Sequence, residues 1–183
     1  MRTDCVIRAV LFLTAALLVA AGCASQPSTE VDAVDGRIVV GPNLNPNAEG
    51  RPSPVFLRIY QLKDPAAFNT ASFGDLADAD ADVLGASLLS RDEFELCPLE
   101  APASARSARV ESRCQGEQLP VTLDVKGNAR YLAVMAEFYD LHDPSGSWRD
   151  VAEVPEESMF GLFGSREFVV ELRRATVSVR FVE

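Results

Sequence analysis

Read from the N-terminus, the chain shows one unbroken apolar stretch followed by a succession of alternating ones. Ala9 to Gly22 is a run of 14 residues whose only polar side chain is Thr14, and Arg2 and Arg8 flank its start. A basic beginning followed by a short apolar core is the pattern of an export signal. The run is also shorter than the roughly 20 apolar residues that span a bilayer. Residues 1–22 are therefore read as a signal peptide, residues 23–30 as a polar linker and residues 31–183 as the folded domain.

The rest of the pattern is mostly β. Val31 to Val40 ends in Arg37-Ile38-Val39-Val40 and is stopped by Gly41-Pro42, which predicts a first strand. Val55 to Leu62 alternates, with Val55, Leu57 and Ile59 on one face and Phe56, Arg58 and Tyr60 on the other. Both faces carry apolar or aromatic atoms, so one is expected on the core and the other beneath an attached segment. That segment is Asp64 to Leu89, where Asp64 before Pro65 suits an N-cap with proline at the first helical position. Phe68, Phe73 and Leu76 give it an apolar stripe, Asn69-Thr70 interrupts it, and Asp82 can cap a second piece holding Val83, Leu84, Ala86, Leu88 and Leu89. Further strands are expected at Glu93 to Cys97, Leu119 to Val125, Tyr131 to Tyr139 and Trp148 to Val154. Glu167 to Val182 reads as two strands meeting near Arg173-Arg174, with Phe168, Val170 and Leu172 facing Val177, Val179 and Phe181. About eight short strands separated by turns predict an all-β fold, a two-sheet antiparallel β-sandwich with a small helical insertion, about residues 64–89, after the second strand.

Between the first two strands, Gly41 to Pro54 holds four prolines and two glycines, so it supports neither helix nor ladder. Its proline density limits its freedom when unfolded, which suggests a shaped loop. The length of 183 residues suits one domain, and 48% hydrophobic residues suffice for a real core. Lys+Arg number 17 against 27 Asp+Glu, a net charge of −10, which argues against nucleic acid because phosphate binding needs concentrated cations. Without residues 1–22 the chain keeps 15 basic and 26 acidic residues, a net charge of −11.

Chemistry is sparse. His142 is the only histidine and sits in Asp140-Leu141-His142-Asp143-Pro144, a turn pattern. It would have to serve any Ser-His-Asp triad, but no G-x-S-x-G sequence supplies a nucleophile. Asp78-Ala79-Asp80-Ala81-Asp82 resembles the start of a calcium loop, yet Val83 stands at the sixth position instead of Gly and Leu89 at the twelfth instead of Glu. It is read as a solvated linker between helices. There is no CxxC pair, P-loop or dinucleotide fingerprint. The expectation is a protein that is not an enzyme, with no metal, no cofactor and no small-molecule substrate.

The apolar run ends Leu18-Val19-Ala20-Ala21-Gly22-Cys23, which resembles the bacterial lipobox, with Cys23 as the acylated N-terminus of the mature chain. Ala20 stands where Leu is usual, so ordinary small-residue cleavage and an unanchored, secreted domain is the alternative. Two or more acyl chains anchor a protein stably, each buried methylene contributing about 0.8 kcal/mol. Ala24, rather than Asp, after the Cys resembles lipoproteins passed on to the outer membrane. In an oxidising compartment, with Cys23 carrying lipid and Cys5 cleaved off, Cys97 and Cys114 are candidates for a disulfide. It would close a loop of about 16 residues and be worth at most roughly 3 kcal/mol.

Asn45-Pro46-Asn47, Gly50-Arg51-Pro52-Ser53-Pro54, Arg58-Ile59-Tyr60-Gln61-Leu62 and Asp64-Pro65-Ala66-Ala67-Phe68 together resemble the TssJ lipoproteins of type VI secretion systems. Phe73 and Leu76, Leu84-Gly85, Asp92-Glu93-Phe94, Ala133-Val134-Met135-Ala136-Glu137-Phe138 and Trp148-Arg149 continue the resemblance in order, so that it covers most of residues 30 to 155. It implies a transthyretin-like sandwich on the periplasmic face of the outer membrane. The implied non-catalytic role is to hold the periplasmic C-terminal region of the inner-membrane protein TssM and tether the secretion channel. In that family the loop joining the first two strands carries much of the contact, which makes Asn43, Leu44, Asn45, Pro46, Asn47, Glu49, Gly50 and Arg51 contact candidates here. The alternative for the loop is a structural turn whose Arg51 and Asn residues satisfy nearby backbone groups.

Two stretches depart from the family pattern. Cys97 to Cys114 looks longer than usual, and Arg106, Arg109 and Arg113 make it either a basic tip for anionic headgroups or a plain soluble loop. Met159-Phe160-Gly161-Leu162-Phe163-Gly164 would be a second binding patch if exposed and an end plug of the sandwich if buried. Two other functions stay open: a lipid-anchored binding module of a different envelope assembly, and a lipid-anchored hydrolase with His142 as base.

Overall fold

The structure, a computed structural model, describes residues 32–98, 118–155 and 167–182. Eight strands form two four-stranded sheets: β1 (Asp32–Val40), β2 (Val55–Leu62), β3 (Leu88–Leu96), β4 (Gln118–Val125), β5 (Tyr131–Ala136), β6 (Arg149–Glu153), β7 (Glu167–Arg173) and β8 (Thr176–Val182). One sheet has the order β4-β1-β7-β8 and the other β3-β2-β5-β6. The fold is the expected all-β sandwich. Its strands pair antiparallel except that β1 and β7 run parallel, and an isolated parallel bridge joins Ser147 to Thr176 of β8. No hairpin joins β1 to β7. The whole of the other sheet lies between them in sequence, so turn geometry does not set their relative direction.

Alternation puts the apolar residues between the sheets. Ile38 and Val40 from β1, Leu57 and Ile59 from β2, Val121 and Leu123 from β4, Val134 from β5, Val170 and Leu172 from β7 and Val177 and Val179 from β8 share one buried cluster. In the β7–β8 hairpin, Phe168 pairs with Phe181, Val170 with Val179 and Leu172 with Val177, the facing set expected from the sequence. The parallel pair needs one small residue. A Cβ at Gly36 would lie 2.4 Å from the Phe168 ring, so glycine there lets the ring lie flat against β1.

Side chains also stitch the two sheets together. Gln61 of β2 donates Nε2–H to the Asp124 carbonyl at 2.9 Å and accepts the Lys126 amide at 2.9 Å, while the Asp150 carboxylate of β6 accepts the Val179 amide of β8 at 2.9 Å.

The outer face of β2 is covered as the pattern demanded. Helix α1 (Ala66–Thr70), helix α2 (Phe73–Leu84) and a 3-10 turn (Gly85–Ser87) bring Phe68, Leu76 and Leu84 onto Tyr60, Leu62, Ala133 and Met135. Asp64 accepts the Ala66 amide at 2.7 Å, and α1 begins one residue after Pro65. The second helix does not start at Asp82. Ser72 caps it in a reciprocal box with Asp75, and Leu88 and Leu89 belong to β3 instead of a helix. The insertion therefore ends at Ser87.

The acidic run is not a solvated linker either. It lies within α2, where Ala79 breaks helical geometry at φ −146° and Asp80 is buried. Arg91 of β3 binds both Asp80 oxygens at 2.7 and 2.9 Å, the Tyr60 hydroxyl donates at 3.0 Å, and Arg58 approaches to 3.6 Å. Arg58 also reaches Glu137 at 3.0 Å and Glu93 at 3.4 Å and donates to the Leu76 and Ala77 carbonyls. A charge so enclosed persists only when paired. Burial would push the Asp80 carboxyl up, but the bonds from Arg91 and Tyr60 outweigh it and hold the group below the usual carboxylate range. The second anchor is Arg149, which donates to the Phe68 and Ala71 carbonyls at the end of α1 and stacks 4.5 Å over Trp148, itself edge-on to Phe73.

Candidate functional site

The β1–β2 loop, the segment after β5 and the β7–β8 turn converge at one end of the sandwich. The loop is held from inside by Asn45. Its backbone is left-handed (φ 48°), a conformation Asn tolerates better than most residues, and its side chain is buried. Nδ2 donates to the Pro54 carbonyl at 2.6 Å, Oδ1 accepts the Tyr139 amide at 2.6 Å, and the Asn45 amide donates to the Arg174 carbonyl at 2.8 Å. The Ser53 amide and hydroxyl both donate to the Asn45 carbonyl. One residue thus joins all three segments. Beside it Leu44 is fully buried in the main core.

The rest of the loop is a small, self-bonded tip. Asn47 Oδ1 accepts the Glu49 and Arg51 amides at 3.1 and 3.0 Å, and Gly50 takes φ 73° to close the turn. Arg51 and Glu49 sit 3.7 Å apart in solvent, where such a pair contributes little.

The contact candidates therefore divide. Leu44 and Asn45 build the loop from within, Pro46 and Asn47 are half-buried, and Asn43, Glu49, Gly50 and Arg51 are exposed. The structural-turn alternative thus describes Asn45 and Asn47, whose side chains satisfy backbone groups, but not Arg51, whose side chain lies in solvent near Glu49, and the tip is displayed.

Between the loop and its neighbours lies an open cleft of about 380 Å³, with Asn45, Asn47 and Gly50 on one wall and Tyr139, Asp143 and Arg174 opposite. The strand expected to run to Tyr139 ends at Ala136. Glu137 still donates to the Phe56 carbonyl, but Phe138 turns back to Ala136, and the Tyr139 ring is 64% exposed. Asp143 accepts from the Ser145 amide and hydroxyl at 2.9 and 2.6 Å and pairs with Arg174 at 3.7 Å, so its carboxyl is held down, chiefly by Ser145. His142 lies in an exposed turn and offers its amide to Asp140. Tyr139 and Arg174 carry no local signal in the sequence. Only their meeting with the loop reveals them, although the tyrosine sits where an apolar run gives way to a turn.

Other expected sites lie elsewhere. Cys97 is buried and disulfide-bonded, and Cys114 falls outside the described residues, as do Cys23, Arg106, Arg109, Arg113 and Met159 to Gly164. Among the described residues no group of three His, Cys, Asp or Glu side chains could hold a metal ion, and no helix is long and apolar enough to cross a membrane.

Residues 32–116 match the model of a family described as type VI secretion lipoprotein, VasD, EvfM, TssJ. Among solved structures, the chain is similar to the type VI lipoprotein TssJ1 of Pseudomonas aeruginosa, with 26% identity and a TM-score of 0.64 over 82% of this chain and 96% of that one. It shares its fold with Lip of Serratia marcescens, a membrane-bound component of that secretion system, at 23% identity and a TM-score of 0.57 over 82% and 97% of the two chains. A chain of a structure described as the TssM C-terminal domain from EAEC also shares the fold, at 19% identity and a TM-score of 0.54 over 82% and 98%. Comparison with curated sequences finds no match.

Proposed function

We propose that the chain, whose residues 32–116 match the type VI secretion lipoprotein family model, is the periplasmic, outer-membrane-anchored member of the membrane complex, binding the periplasmic C-terminal region of TssM and tethering the channel. The observation that carries this reading is the loop locked by Asn45. A tip fixed in advance on a rigid sandwich loses little freedom on docking, so its contacts translate into affinity. Acyl chains on Cys23 supply the anchor, and the linker of residues 24–30 gives the domain reach. Cys97 pairs with Cys114 and closes the segment between β3 and β4. Recognition is non-covalent, and no residue acts as catalyst.

The test has two arms. The acyl-free domain, residues 24–183, captures the periplasmic region of TssM at micromolar concentration. The full-length protein carrying Cys23→Ser leaves the outer-membrane fraction and secretion fails. Absence of capture overturns the partner, and unchanged fractionation of the serine variant overturns the anchor.

A further inference from the structure

Two groups at the cleft are presented but unused by the fold. Of the two large hydrophobic side chains exposed among the described residues, Tyr139 is the more exposed, and its backbone is pinned by the 2.6 Å bond to Asn45. Next to it, Asp140 accepts only the His142 amide and has no cationic partner within the described chain. Its neighbours differ: Asp143 has Arg174 and Glu49 has Arg51.

A rigidly seated, solvent-facing aromatic is the side-chain type that dominates binding energy, because burying it releases a large area while few rotamers are lost. An unneutralised carboxylate beside it favours a cation from the partner, and a chain of net charge −10 biases approach in the same sense. Resting on the reading above, we propose that Tyr139 and Asp140 extend the loop contact into the cleft. Tyr139 is the anchor that enters an apolar socket on TssM, and Asp140 receives a Lys or Arg from the rim of that socket.

The test uses the acyl-free domain and the periplasmic region of TssM, with affinity and association rate measured from low to high salt. Tyr139→Ala is expected to weaken binding at least tenfold, mainly through faster dissociation. Asp140→Asn is expected to weaken it several-fold and to flatten the salt dependence of association. Tyr139→Phe, which keeps the ring, retains most of the affinity. Unfolding midpoints of all three match the parent, because the changed groups are exposed. Full affinity in Tyr139→Ala, or undiminished salt dependence in Asp140→Asn, overturns the inference while leaving TssM as partner. No binding by the unaltered domain overturns both.

Discussion

Replacing Asn45 by alanine removes its side-chain ties to Pro54 and Tyr139 and leaves its backbone bond to Arg174 in place. Two side-chain hydrogen bonds are lost, one to the Pro54 carbonyl and one from the Tyr139 amide. Each is worth about 1 to 1.5 kcal/mol when its partner is left poorly solvated. Alanine must also hold the left-handed backbone, at about 1 kcal/mol. The expected loss is about 3 to 4 kcal/mol. Asn45→Gly, free of the backbone penalty, should recover about 1 kcal/mol of it. Urea unfolding followed by the single tryptophan, Trp148, which packs edge-on to Phe73, reads the global term. Hydrogen exchange at the Tyr139 amide reads the local one. An alanine variant within 0.5 kcal/mol of the parent on the approximate scale of these bonds, with the Tyr139 amide still protected, refutes the account of a loop held by one side chain.

Two carboxylates give opposite pH signatures. Asp80→Asn is expected to destabilise by about 2 kcal/mol, less than a fully buried pair because Arg91 is partly solvated, with exchange rising first across α2. Since the folded state holds the Asp80 carboxyl below its ordinary value of 3.8, its stabilisation is complete above that pH and is lost as pH falls through the depressed value. The gap between parent and variant closes there. Asp92 is the reverse case: burial first, and then the charge of Asp124, raise its carboxyl above 3.8. Its contribution is full below 3.8 and is lost as pH rises through the raised value, so Asp92→Asn should melt higher than the parent at pH 7 and equally in acid. A lower melting point at pH 7 contradicts that assignment.

The strands were readable because alternation is local. Val55 to Leu62 shows both of its faces in its own side chains, and the pairing of Phe168, Val170 and Leu172 with β8 follows from one short turn. Three features depend on distant residues and left no local trace. The close fit of β7 beside β1 needs Gly36 to meet Phe168, much later in the chain. Asp80 looks like one of three equivalent solvated acids until Arg91 and Tyr60 arrive from strands. In the loop, proline and asparagine content marked a shaped element, but which members faced inward was set by the Leu44 pocket and by the backbone groups awaiting Asn45. Tyr139 reads in the sequence only as the end of a strand, because nothing in its neighbourhood distinguishes a strand end from a displayed ring.

β1 connects the two places where the proposed role would apply force. Its N-terminal end follows the linker proposed to carry the lipid, and its C-terminal end leads directly into the loop proposed to dock. Tension between membrane and channel would run lengthwise through nine residues, about 30 Å of extended chain. That strand is not at an edge: β4 grips one flank and β7 the other. Extracting it means shearing two ladders together instead of unzipping one, so a pull along β1 meets resistance from both flanks at once.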